Sequence, residues 1–175
     1  FLKAVALTAA AAAALPAGRV LAAMAAEGIR VSRARFPQSV ASGDPRPDRV
    51  LLWTRLQPAA DGVAAARLRL QVADDPGFTA LRLDREVAVA DGSDGCVKVR
   101  VQGLDAGRDY HYRFLVEDGD GFASSPRGRT RTAPAADADV PLRFAFISCQ
   151  DYGGRWYNSL LPLLGQDLDF VLHLG

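Results

Sequence analysis

Cysteine is scarce in this chain: Cys96 and Cys149 are the only two in 175 residues. That is too few for a disulfide framework, although one bridge between them stays open in an oxidising compartment. Lysine is scarcer still relative to need, since of 21 basic residues only Lys3 and Lys98 are lysine. The arginines that replace it are scattered, so the bias reads as genomic composition and not as a built phosphate cradle. A net charge of either sign is missing too. A formal net charge of +1 gives no electrostatic case for a nucleic-acid partner. Long apolar runs are absent: the best, Ala4 to Leu15, is broken by Pro16 and is too short to span a bilayer. No transmembrane anchor is therefore expected.

What is present begins with that alanine-rich run. It suits the h-region of an export signal, and Ala23-Met24-Ala25 offers an A-x-A cleavage site. Phe1-Leu2-Lys3 has the form of the tail of a twin-arginine signal, S-R-R-x-F-L-K, with both arginines upstream. Residues 1–26 are thus expected to be a signal remnant handled by the twin-arginine export machinery, which places the protein in the periplasm or outside the cell. The alternative is an alanine-rich N-terminal helix, but nothing in the run patterns a polar face.

From Phe36 to about Thr132 the pattern is strand, turn, strand. Val50-Leu51-Leu52-Trp53-Thr54 follows the turn Gly43-Asp44-Pro45-Arg46-Pro47-Asp48, in which Asp44 and Asp48 read as turn residues and not as a carboxylate pair. Leu68, Leu70 and Val72 alternate with Arg67, Arg69 and Gln71; Val97, Val99 and Val101 alternate with Lys98, Arg100 and Gln102. Tyr110, Tyr112, Phe114 and Val116 alternate with His111, Arg113, Leu115 and Glu117. Period-2 runs separated by turn chemistry predict an all-β sandwich. Leu104 and Tyr110 bracket a five-residue loop in a spacing that resembles the tyrosine corner of fibronectin type III-like domains; a plain core-facing Tyr110 is the compatible simpler reading. His111, on the opposite strand face, reads as a solvated strand histidine, and Cys96 as a small buried hydrophobe. Residues 36–133 are assigned to the sandwich and 134–140 to a linker without apolar periodicity.

Residues 141–175 change character. An apolar strand, Leu142 to Ile147, stops at Ser148-Cys149-Gln150; a loop with Gly153 and Gly154 leads to a helix-like segment ending near Leu164; a second apolar strand, Phe170 to Leu174, reaches Gly175. This predicts a parallel βαβ unit with ligands off the carboxyl ends of its strands. Cys149, at the first of those ends, has three readings: a buried structural thiol, a nucleophile paired with His173, or a metal ligand. His173 alternates with Leu172 and Leu174, which argues for packing in the sheet over service as a base. No C-x-x-C or H-x-x-H spacing decides among them. Gly153, Gly154 and Trp156-Tyr157-Asn158 either shape a substrate mouth or form an ordinary helix start with packing aromatics.

Three segments then share a resemblance. Phe36-Pro37-Gln38-Ser39-Val40-Ala41-Ser42-Gly43-Asp44-Pro45, with Leu51-Leu52-Trp53-Thr54-Arg55 after it, looks like the opening of PhoD-type alkaline phosphatases. Phe144 to Gln150 and Asp167 to Gly175 are similar to later segments of that family and stand in the same order. The resemblance implies a fibronectin type III-like N-terminal domain followed by the start of an α/β metallophosphoesterase domain. It also implies a centre of iron(III) and calcium, and hydrolysis of small or polymeric phosphate esters outside the cytoplasm by a metal-activated hydroxide. On the same ground Cys149 is the expected iron ligand, while Asp151, standing where related enzymes carry a histidine, receives no ligand role. The family continues H-L-G with D-Y-x-Y, so the chain is expected to stop one residue before the next ligand, to lack most of the active site, and to bind no metal tightly by itself. The competing function is an exported fibronectin-like binding or attachment module.

Overall fold

The computed structural model describes residues 28–59, 62, 67–150, 153 and 156–175. The signal remnant assigned to 1–26 lies outside these residues, as do Asp151 and Gly154. Eleven strands are described: β1 (Ile29–Val31), β2 (Val40–Arg46), β3 (Arg49–Arg55), β4 (Arg67–Ala73), β5 (Leu81–Ala88), β6 (Cys96–Gln102), β7 (Asp109–Asp118), β8 (Gly121–Ser124), β9 (Gly128–Arg131), β10 (Phe144–Ile147) and β11 (Phe170–His173).

Two sheets face each other, antiparallel throughout except where β1 joins β8 in parallel. One has the order β2-β3-β6; the other runs β1-β8-β7-β4-β5, with β9 also on β7. The alternating runs supply the core between them. Val50 and Leu52 on β3 and Val97, Val99 and Val101 on β6 meet Leu68, Leu70 and Val72 on β4 and Tyr110, Tyr112, Phe114 and Val116 on β7. Each side chain of this size taken fully out of water contributes about 1.5–3 kcal/mol. The arrangement is an all-β sandwich, as the periodicity predicts.

Its last strand is split. β8 pairs with Leu115–Asp118 and β9 with Asp109–Tyr112, both on the same long β7. Ser125 bridges the gap between them: its N–H donates to the Phe114 carbonyl (2.8 Å) and its Oγ accepts from the Phe114 N–H (3.0 Å). Pro126 follows and has no N–H to offer a ladder, so the strand breaks there. The sequence pattern identifies neither β8 nor β9, whose four residues each carry little periodicity.

The tyrosine corner is present. The Tyr110 phenol, wholly buried, accepts a hydrogen bond from the Asp105 N–H at 2.8 Å. It pins the loop after β6 to the start of β7.

Four expectations change. The turn foreseen over Gly43–Asp48 shrinks to Pro47-Asp48, because β2 continues through a bulge between Gly43 and Arg46 with Asp44 at φ 45°. A short polar side chain tolerates that left-handed backbone, and Asp44 accepts from Arg46 Nε at 3.0 Å. Cys96 is half-buried, since it opens β6 at the rim of the sandwich. Leu115, on the outward-facing set of β7, is fully buried. Finally, the segment joining β10 to β11 is a 3-10 helix, Asn158–Gly165. Pro162 sits inside it, and a proline there removes an i→i−4 bond that an α-helix would need.

Candidate functional site

β10 and β11 pair in parallel, Phe144 opposite Phe170 through Ile147 opposite His173. The rings of Phe144 and Phe170 stack at 5.2 Å. Beyond the last pair the chains stay joined: the Leu174 N–H donates to the Ile147 carbonyl at 2.9 Å, and the Cys149 N–H to the Gly175 carbonyl. Both carboxyl ends therefore meet at one place, as the predicted βαβ unit requires.

Cys149 occupies that place in an unusual conformation. Its φ is +58°, in the left-handed region that non-glycine residues seldom enter. The thiol is exposed, with Sγ 3.2 Å from Ser148 Oγ. Among the described residues nothing buries this thiol. Holding a residue in αL costs on the order of 1 kcal/mol, and such outliers concentrate where a side chain must be aimed. Here the turn lifts the sulfur off the sheet at the strand end.

His173 departs from expectation. It is exposed, not packed, because the two-stranded sheet has nothing against this edge among the described residues. Its Nδ1 accepts from the Gly175 N–H at 3.2 Å, which leaves Nε2 to carry the proton and donate to Gln150 Oε1 at 2.9 Å. Both ring nitrogens are engaged, and neither serves as a base for the Cys149 thiol. The nucleophile–base reading is not supported. Gln150 Nε2 is buried and has no hydrogen-bond partner.

A single thiolate remains as the candidate metal donor. It is soft, accessible and displayed at a strand end, which suits a transition metal such as iron. Among the described residues no group of three or more His, Cys, Asp or Glu side chains could hold a metal ion. Cys96 and Cys149 are both free thiols, so no bridge ties the strand end to the sandwich. Trp156 is 89% exposed and does not pack as a core aromatic, and Tyr157 opens the 3-10 helix at φ 49° with no side-chain cap.

The histidine of the sandwich stands apart. His111 lies at the face of β7 with its pKa held below the ordinary 6.5, first by burial and then by the Arg127 and Arg129 guanidinium groups. It has no part in the strand-end cluster. A cavity of about 430 Å³ separates the sandwich from the strand pair, lined by Pro45, Gly107, Pro134, Val140, Leu142 and Phe170 among others. A groove of about 640 Å³ continues it past Ser42, Arg129, Asp169 and Leu172. Asp169 lines both. Its contacts are not legible in the sequence, because its partners lie 38 and 26 residues away along the chain.

Comparison with known proteins gives these features a family. The model of the family described as PhoD-like phosphatase, N-terminal domain, matches residues 22–134. Alkaline phosphatase D of Bacillus subtilis (strain 168) is 39% identical over 147 residues, which are 80% of this chain and 24% of that protein. A solved structure of PhoD superposes with a TM-score of 0.72 at 35% identity, over 83% of this chain and 28% of the other. The chain thus spans about a quarter of the length of these relatives. The match to Bacillus alkaline phosphatase D and the shared fold agree with the three sequence segments: this chain belongs to the PhoD-like phosphatase family.

Proposed function

We propose that this chain forms the N-terminal sandwich and the opening strands of an exported, metal-dependent phosphoesterase, with Cys149 as an iron ligand. The observation that carries the reading is the exposed Cys149 thiol, turned out at φ +58° where the ends of β10 and β11 meet. Ligands of parallel α/β units gather at the carboxyl ends of the strands, and a thiolate there suits iron. The substrates are phosphate esters, following the phosphatase family. Domain limits of 36–133 for the sandwich, 134–140 for the linker and 141–175 for the start of the catalytic unit go with this reading.

When bound, an iron(III)–calcium pair would supply Lewis-acid polarisation of the phosphate and acidification of a water. What the described residues do is narrower. Cys149 must be deprotonated to ligate, so affinity for metal falls as the thiol is protonated. The Gly175 carbonyl fixes the Cys149 backbone, and the His173–Gln150 bond fixes the adjoining residue. Export by the twin-arginine route belongs to the same proposal. Among the described residues no helix is long and apolar enough to cross a membrane.

The test uses the product of the complete gene. Cys149→Ser should lower iron content measured by mass spectrometry and slow hydrolysis of mono- and diester substrates together, by 10-fold or more. Wild-type iron content and turnover in that variant would refute the ligand role. The 175-residue chain alone, with one donor, should show no metal-dependent turnover; turnover that follows added metal would overturn that expectation.

A further inference from the structure

We propose that Asp169 is the joint between the sandwich and the strand unit, a positioning residue that fixes the two against each other through Arg131. Its carboxylate is divided between them. Oδ1 accepts from Arg131 NH1, at the end of β9 in the sandwich, at 2.9 Å. Oδ2 accepts from the backbone N–H of Arg143, just before β10, at 2.8 Å. The Asp169 N–H completes the bracket by donating to the Arg143 carbonyl at 2.8 Å. One side chain thus holds the last strand of the sandwich, the approach to β10 and the approach to β11.

The surroundings show why this contact is decisive. Up to Ala133 the chain is bonded to the sandwich: Thr132 Oγ1 donates to the Asp105 carbonyl at 2.6 Å and accepts from the Arg108 N–H at 3.0 Å. The Ala133 N–H donates to the Arg46 carbonyl at 3.2 Å, and its carbonyl accepts from the Gly107 N–H at 2.9 Å. Past Ala133 that bonding stops, and the segment to Leu142 runs over the surface. Between the described residues of the two units, the Arg131–Asp169 pair is a hydrogen-bonded ion pair. Asp169 is largely shielded, its side chain 19% exposed, while Arg131 is 42% exposed. The carboxylate therefore sits where water competes poorly, with its two oxygens already aimed.

Leverage gives the joint its consequence. Cys149 lies six residues beyond Arg143, four of them in β10, which puts it at most about 20 Å away at roughly 3.3 Å per residue. A swing of about 10° at Asp169 would move the thiol by up to roughly 3.5 Å relative to the sandwich, by the same geometry. The width of the groove lined by Ser42, Arg129 and Leu172 would change with it. The proposal does not depend on which metal or ester the strand ends serve.

The test places spin labels on the native Cys149 and on Lys98→Cys in a Cys96→Ser background of this chain, and reads the distance distribution by pulsed electron resonance. Arg131→Gln and Asp169→Asn should each broaden a single narrow distribution, and the double variant should broaden it no further than either alone. Arg131→Lys should keep it narrow. Thermolysin cleavage within 134–142 should quicken by about two- to fivefold in the broadened variants, the scale of a partly exposed ion pair. Arg131→Gln alters only a surface side chain of β9, so folding of the strand unit is not at stake in that arm. Narrow, unshifted distributions in both single variants, or additive broadening in the double, would overturn the assignment.

Discussion

Removing one oxygen from Tyr110 tests the architecture of the sandwich most directly. Tyr110→Phe keeps the ring in a fully buried slot and deletes only the acceptor for the Asp105 N–H. The ring's share of the core is unchanged, so the cost is that of the hydrogen bond. A neutral bond of this kind contributes about 0.5–1.5 kcal/mol net, and a donor left unsatisfied costs about 1–3 kcal/mol. Asp105 is an exposed residue, which lets water recover part of the loss, and about 1–2 kcal/mol is expected. For a domain of this size that is a fall in Tm of roughly 5–15 °C. With a urea slope of about 1.5 kcal/mol per molar, the midpoint should drop by about 1 M while the slope stays constant. Fluorescence of the half-buried Trp53 in a Trp156→Phe background follows the transition without signal from the exposed indole. A midpoint within about 0.2 M of the parent, on the scale where 1 kcal/mol would be plain, would show that the corner does not hold the loop.

Two further outcomes are expected. Gly128 on β9 faces Tyr112, and a Cβ there would lie 2.4 Å from the ring, so Gly128→Ala should cost about 1–3 kcal/mol by overpacking, read from the same denaturation curves. Tyr112 cannot yield easily, being buried deeply enough that its phenol is pushed up to about 12. His111 predicts a pH dependence. Its folded pKa lies below 6.5, chiefly because of burial, so the unfolded chain takes up the proton first as pH falls. Its contribution is fully present above pH 6.5 and is lost as pH drops through the folded pKa; His111→Gln should flatten that part of the stability curve, and an unchanged curve would refute the assignment.

The site was less legible than the fold, and particular residues show why. Leu68, Leu70 and Val72 announce a strand because side chains two apart share a face, a relation that needs no tertiary information. Tyr110 could be placed at a corner because its partner is five residues away. Cys149 could be placed at a strand end, but not in its left-handed turn, since a cysteine carries no preference for positive φ. His173 looked like a sheet residue by alternation. Its exposure and its bond to Gln150 depend on what lies beside the strand, 23 residues away in sequence.

By itself the sequence determined the two-sheet sandwich, the parallel strand pair after it and, through three ordered segments, the family. Those are consequences of local period, turn chemistry and motif order. Only the tertiary structure decided that β7 carries two short strands end to end, that Cys149 is presented and not buried, and that Asp169 clasps Arg131 across 38 residues. The physical reason is that a strand's face follows from its neighbours in the chain. Which charge meets which is set by where two distant segments come to rest.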